Sequence, residues 1–143
     1  MYDRILVGTD GSRDAEAAVT HAIDLARQVG ATLHAVYVVD TRTEYDNDIV
    51  DPETVRRTLT EEGKAALAAI ERQSGPETPV VTEIREGAPS EELLEYVDTN
   101  GIDLVVLGAQ GRSAFKTILL GSTTEALLRA DEVPVLVVGD RDE

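Results

Sequence analysis

Apolar positions along this chain follow two patterns that take turns. Short apolar runs, of the kind a parallel sheet buries on both faces, occur at Arg4 to Asp10, Thr32 to Val39, Pro79 to Ile84, Leu104 to Leu107 and Val133 to Val138. Between them, apolar residues recur at helical spacing. The first such set is Ala15, Ala18, Val19, Ala22, Ile23, Ala26 and Val29; the second is Val55, Leu59, Ala66 and Ile70; the third is Leu93, Leu94 and Val97. Their ends carry start and stop signals: Ser12 as an N-cap and Gly30 as a stop, Asp51-Pro52 and Gly75-Pro76, and the turn Gly87 to Ser90 with Asn100-Gly101. A fourth helix opens at Ser122-Thr123-Thr124-Glu125, a capping-box pattern with Ser122 as the cap. Five predicted strands thus alternate with four predicted helices. A helix in every connection predicts an open α/β fold with a parallel sheet and helices on both faces. Ligands of such folds bind beyond the carboxyl ends of the strands, where the strand order reverses. The polar stretch Asp40 to Asp51 is long for a connection and reads as a mobile lid or as disordered chain.

Glycines mark one strand end in particular. Gly108, Gly111 and Gly121-Ser122 give the spacing Gly-x2-Gly-x9-Gly-Ser between the Leu104 to Leu107 run and the fourth helix. Glycine lets the backbone approach a ligand, and the N–H groups of a helix's first turn point at an anion. A nucleotide phosphate is the expected occupant. Ser122 reads both as a cap and as a phosphate contact, and Thr123 and Thr124 add two first-turn donors. Arg112 and Lys116 are the basic side chains within the long gap, and Arg112 is the candidate phosphate contact. Asp10, beside Thr9 at the end of the first run, is placed to accept from a ribose hydroxyl or an adenine amine, or to hold magnesium through water; its bland reading is the cap of the next helix.

Composition narrows the field. At 143 residues the chain reads as one domain, and the absence of cysteine excludes a disulfide framework and thiol chemistry. A formal charge of -15, from 28 acidic against 13 basic residues, argues against nucleic acid as a partner. No apolar run reaches the length of about 18 residues that a membrane span needs, and the chain enters a strand pattern at once, so the expected location is cytoplasmic. The acid also raises a salt-rich cytoplasm as a hypothesis beside that of an ordinary acidic protein.

Catalysis finds little support. The acidic residues of the 40–51 stretch lack the glycine and terminal glutamate of a calcium loop, and with only two histidines, His21 and His34, no cysteine and neither histidine at a strand's carboxyl end, a metal site has little support. No Gly-x4-Gly-Lys loop is present for phosphoryl transfer. Slow ATP hydrolysis, or self-phosphorylation on Ser122 or a neighbouring threonine, stands as the enzymatic alternative, and a dimeric interaction module that takes up no nucleotide stands as the third. One phenylalanine, four tyrosines and no tryptophan make a flavin carrier a poor fit.

The chain resembles the universal stress protein family over nearly its whole length. The resemblance rests on Arg4-Ile-Leu-Val-Gly-Thr-Asp-Gly-Ser12, Glu86-Gly87-Ala88-Pro89, the 103–122 stretch with its Gly-x2-Gly-x9-Gly-Ser motif, and Val-Pro-Val-Leu-Val-Val at 133–138. It implies a Rossmann-like sheet of order 3-2-1-4-5, similar to the adenine nucleotide alpha hydrolases, that binds ATP or another adenine nucleotide such as AMP, with magnesium carried on the nucleotide. By position it implies phosphates and ribose at Gly108, Gly111, Gly121 and Ser122, Asp10 toward ribose and adenine, and the backbone of Val38 on adenine. The expected nucleotide-binding set is Thr9, Asp10, Val38, Leu107, Gly108, Gly111, Arg112, Gly121, Ser122, Thr123 and Thr124, with no catalytic residue. Gln110 stands where a basic or histidine residue is frequent in the family. The resemblance also implies a homodimer through the last strand, Val133 to Val138, which is apolar on both faces and so suited to edge pairing.

Overall fold

A computed structural model describes residues 2–40, 51–109 and 121–139. The polar stretch read as a lid falls largely at 41–50, and Gly111 and Arg112 within 110–120, so both lie outside the described residues. The elements alternate as expected: β1 (Arg4–Thr9), α1 (Arg13–Val29), β2 (Thr32–Asp40), α2 (Pro52–Ser74), β3 (Val80–Gly87), α3 (Pro89–Asn100), β4 (Leu104–Gly108), α4 (Ser122–Ala130) and β5 (Val135–Val138). All strand pairs are parallel and the sheet order is β3-β2-β1-β4-β5.

Local chemistry fixes most boundaries. Ser12 accepts from the Ala15 N–H at the start of α1, and Gly30 takes the left-handed conformation at its end, with φ 73°. Asp51 caps α2 and Pro52 occupies its first turn, where a missing N–H is harmless. Two boundaries and one buried face depart from the apolar pattern. β3 runs on through Glu83, Arg85 and Glu86 to Gly87, because an edge strand tolerates charges that a central strand does not. β5 begins at Val135, after Pro134, which has no N–H to donate to a ladder. On α2 the buried stripe is Gly63, Leu67, Ile70 and Ser74, while Val55, Leu59 and Ala66 are half-buried.

The sheet has a core on each face. α1 and α2 cover one, where Val7, Ile23, Leu33, Tyr37, Leu67 and Ile70 pack together; α3 and α4 cover the other, around Leu6, Val36, Leu93, Tyr96, Val105 and Leu127. Burial of each large side chain contributes about 1.5–3 kcal/mol. At the amino edge, the Asp103 carboxylate accepts from the N–H groups of Asp3 at 3.1 Å and Arg4 at 3.2 Å, tying β4 to the start of β1. Val29, expected on the inner face of α1, is 42% exposed at its last turn. No helix among the described residues is long and apolar enough to cross a membrane.

Candidate functional site

Parallel pairing brings the expected residues to one edge. Val7 lies beside Val106, so β1 ends at Thr9 next to the end of β4 at Leu107 and Gly108. Thr9 lies beside Tyr37, and Val38 is the next residue of β2. Gly8 forms the floor between these ends: a Cβ built there would meet Leu107 Cδ2 at 3.0 Å and Leu93 Cδ1 at 3.1 Å. Even a methyl at position 8 would require the ends of these two leucine side chains to give by a few tenths of an ångström.

The turn after β1 is held by its own side chains. Thr9 Oγ1 accepts from the Gly11 N–H at 3.2 Å, and Asp10 Oδ1 accepts from the Ser12 N–H at 2.9 Å. Gly11, at φ 82°, supplies the left-handed residue the turn requires. The bland reading of Asp10 as the helix cap is corrected: Ser12 is the cap of α1, and Asp10 holds the turn before it by accepting from the N–H of that cap residue.

The opposite wall is β4 and α4. Gly108 lies against the first turn of α1, where a built Cβ would come within 2.7 Å of the Asp14 carbonyl carbon and oxygen. Its carbonyl accepts from Thr124 Oγ1 at 2.7 Å. The Gly121 N–H donates to the Ala109 carbonyl, and Ala109 N–H donates to Val138 O at 2.8 Å. The capping box is shifted from its expected place. The cap of α4 is Gly121, whose carbonyl accepts from the Glu125 N–H, so Ser122 is the first helical residue and makes no capping bond. Glu125 pairs with Arg129 at 3.0 Å. The physical reason is that glycine also serves as a cap, which lets the helix begin one residue earlier than a serine cap would place it. Thr124 is buried and its hydroxyl is committed to Gly108, whereas Ser122 is exposed.

These features suit an anion. Among the described residues, the first turn of α4 has no side-chain cap, unlike α1 and α2, and it starts beside the end of β4 with Ser122 exposed. The histidines stand apart: His21 is exposed on α1, and His34 lies in the middle of β2.

A polar cluster behind the site escaped the sequence reading. His34 Nδ1 and the Tyr96 hydroxyl share a buried hydrogen bond of 2.6 Å. Burial, and secondarily the charge of Arg4, lower the pKa of His34. On the other side of the Tyr96 ring, the Arg85 guanidinium carbon sits 5.1 Å from the ring centroid. Arg85 pairs with Glu83 at 2.7 Å, Glu95 at 3.0 Å and Glu92 at 3.4 Å. Burial works against its charge, but the Glu83 hydrogen bond and the fields of Glu83, Glu95 and Glu92 outweigh it and raise its pKa. The Arg-Glu-Gly run before Pro89 was the available signal, since charges inside a strand pattern need partners.

Comparison with known proteins agrees with this architecture. The model of the universal stress protein family matches residues 1–139. Universal stress protein MJ0531 of Methanocaldococcus jannaschii is 34% identical over 140 residues, spanning 96% of this chain and 82% of the relative. The structure of universal stress protein UspA from Lactobacillus plantarum superimposes with a TM-score of 0.87 at 31% identity, covering 96% of this chain and 97% of the other. A universal stress protein solved in complex with cAMP gives a TM-score of 0.73 at 26% identity, covering 96% and 97%. With its sheet order, its strand-end glycines and these likenesses in accord, the chain belongs to the universal stress protein family.

Proposed function

We propose that the protein binds an adenine nucleotide at the carboxyl edge of β1 and β4 and acts as a cytoplasmic, homodimeric regulatory module of the stress response. The observation that carries this reading is the start of α4: a helix N-terminus without a side-chain cap, with an exposed serine, bonded to the end of β4, which the sheet order sets next to the end of β1 and Asp10. In this reading the N–H groups at Ser122 and Thr123 take the phosphates, aided by Gly111 and Arg112. Asp10 accepts from the ribose, and the backbone at Val38 meets adenine. ATP with magnesium is the leading ligand, with AMP and cyclic nucleotides as competitors; the cAMP complex of a relative supports the adenine class. Edge pairing of β5 supports the dimer, since all four of its apolar residues are only half-buried on this chain.

Calorimetric titration with magnesium-ATP, AMP and cAMP tests the reading. Binding should also raise the thermal midpoint, since a ligand at about 100 times its Kd adds roughly 2.7 kcal/mol. Gly121→Val should abolish the heat while leaving the protein folded. No heat from any of the three nucleotides, with an unmoved midpoint, would overturn the reading. Sedimentation equilibrium at micromolar concentration should give twice the chain mass, and a monomer there would remove the dimer.

A further inference from the structure

We propose that Arg85 is a positioning residue for the nucleotide crevice, setting through Glu92 and Leu93 how closely the first turn of α3 lies over the ends of β1 and β4; this rests on the nucleotide reading above. α3 begins without a side-chain cap, because its N-cap residue is Ala88, and with Pro89 in its first turn. Its first turn is therefore held by packing on the sheet and on α4 and by polar contacts from β3. Arg85, opposite Val38 in the β2–β3 register, supplies them. One guanidinium nitrogen reaches both the Glu92 carboxylate and the Glu92 main-chain carbonyl at 3.4 Å and Glu95 at 3.0 Å, while Nε is held by Glu83 at 2.7 Å. A planar fork suits this set of acceptors, and a lysine's point charge does not.

The chain of contacts continues to the crevice. The Glu92 side chain lies against Gly87, where a built Cβ would come within 2.8 Å of Oε2, and Gly87 ends β3 at φ 143° beside Asp40 of β2. The adjacent Leu93 is the side chain that meets Gly8 from above, opposite Leu107. Gly8 leads directly to Thr9 and Asp10. With the Arg85 side chain only 16% exposed, its loss would leave three glutamates facing one another under the first turn of α3 with no cation between them. That turn would lift, and Leu93 with it.

The test uses Arg85→Met, Arg85→Lys, Leu93→Ala and the Arg85→Met/Leu93→Ala double variant. Without ligand, amide hydrogen exchange in Arg85→Met and Arg85→Lys should rise at residues 8–12 and 88–93, with residues 33–36 of β2 unchanged. Titrated with magnesium-ATP, each single variant should lose about five- to tenfold in affinity, and the double variant should lose no more than the worse single, as coupled sites do. Additive losses would show that Arg85 and Leu93 act independently, and wild-type affinity in Arg85→Lys would show that only charge matters; either overturns the inference. So would exchange that rises everywhere or not at all at residues 8–12. If the wild type binds no nucleotide, the functional reading fails, while the exchange data still decide whether Arg85 positions this edge.

Discussion

Gly108→Ala asks whether close approach, and not backbone conformation, is what reserves the end of β4 for glycine. The new Cβ would sit 2.7 Å from both the carbonyl carbon and the carbonyl oxygen of Asp14 and 2.9 Å from its Cβ. Two of those atoms are backbone, so no side-chain rotation relieves the contact; α1 must move off β4, or β4 must bend. Overpacking of this kind costs about 1–3 kcal/mol. Gly108 does not have a positive φ, so alanine is allowed there and returns roughly 0.4–1 kcal/mol by restricting the unfolded chain. The expected net loss is about 1–2 kcal/mol, or roughly 2–8 °C in Tm for a chain of this size. Urea denaturation with a shared m-value measures it. Gly30→Ala is the contrasting case, with φ 73° and no atom within 4 Å of the new Cβ. There the penalty is conformational, so Gly30→Asn should recover part of it, as asparagine tolerates the left-handed region, while Gly108→Asn should recover nothing. A Gly108→Ala protein as stable as the wild type would refute the close-approach argument.

Three further expectations follow from the same structure. Thr124→Val keeps the shape but removes the hydroxyl that donates to Gly108, and should lose about 1–2 kcal/mol in urea denaturation, with Thr124→Ser regaining most of it; an unchanged Thr124→Val midpoint would make that bond dispensable. Because burial and then Arg4 lower the His34 pKa, the unfolded chain protonates first as pH falls. This part of the stability is complete above about pH 6.5 and is lost on acidification through the lowered folded-state pKa, so His34→Gln should flatten the stability curve on the acid side of about pH 6.5. Raising KCl from about 0.1 to 1 M shortens the screening length from about 10 to 3 Å. With a formal charge of -15 this should raise the denaturation midpoint, and a flat response would dismiss the salt-rich setting.

Local signals carried most of the fold. Ser12, Gly30, Asp51-Pro52 and Gly101 act within one turn of their own position, so the ends of α1, the start of α2 and the end of α3 are legible as written. What is decided by neighbours distant in sequence is not. Glu83 and Arg85 look foreign to a strand until α3 brings Glu92, Glu95 and Tyr96 over them. Gly63 reads as a weak point in a helix, yet it is where α2 comes close enough to Tyr37 that a Cβ would meet the ring at 2.7 Å. The Ser122 cap was displaced by one residue because Gly121 and Ser122 are both acceptable caps, and only the bond from the Glu125 N–H chooses between them. That the ends of β1, β2 and β4 meet at one edge follows from the sheet order that the family resemblance implied, because the apolar pattern gives the strands but not their neighbours.

The bonds around Ala109 bear on how this fold can change. Ala109 N–H to Val138, Gly121 N–H to Ala109 and the Thr124 hydroxyl to Gly108 clip the two flanks of the eleven positions 110–120 to each other and to β5. The clip uses only atoms outside that interval. The start of α4 is therefore tied to the ends of β4 and β5 by these bonds, so loss of the Thr124 hydroxyl would loosen a corner of the sheet as well as the helix.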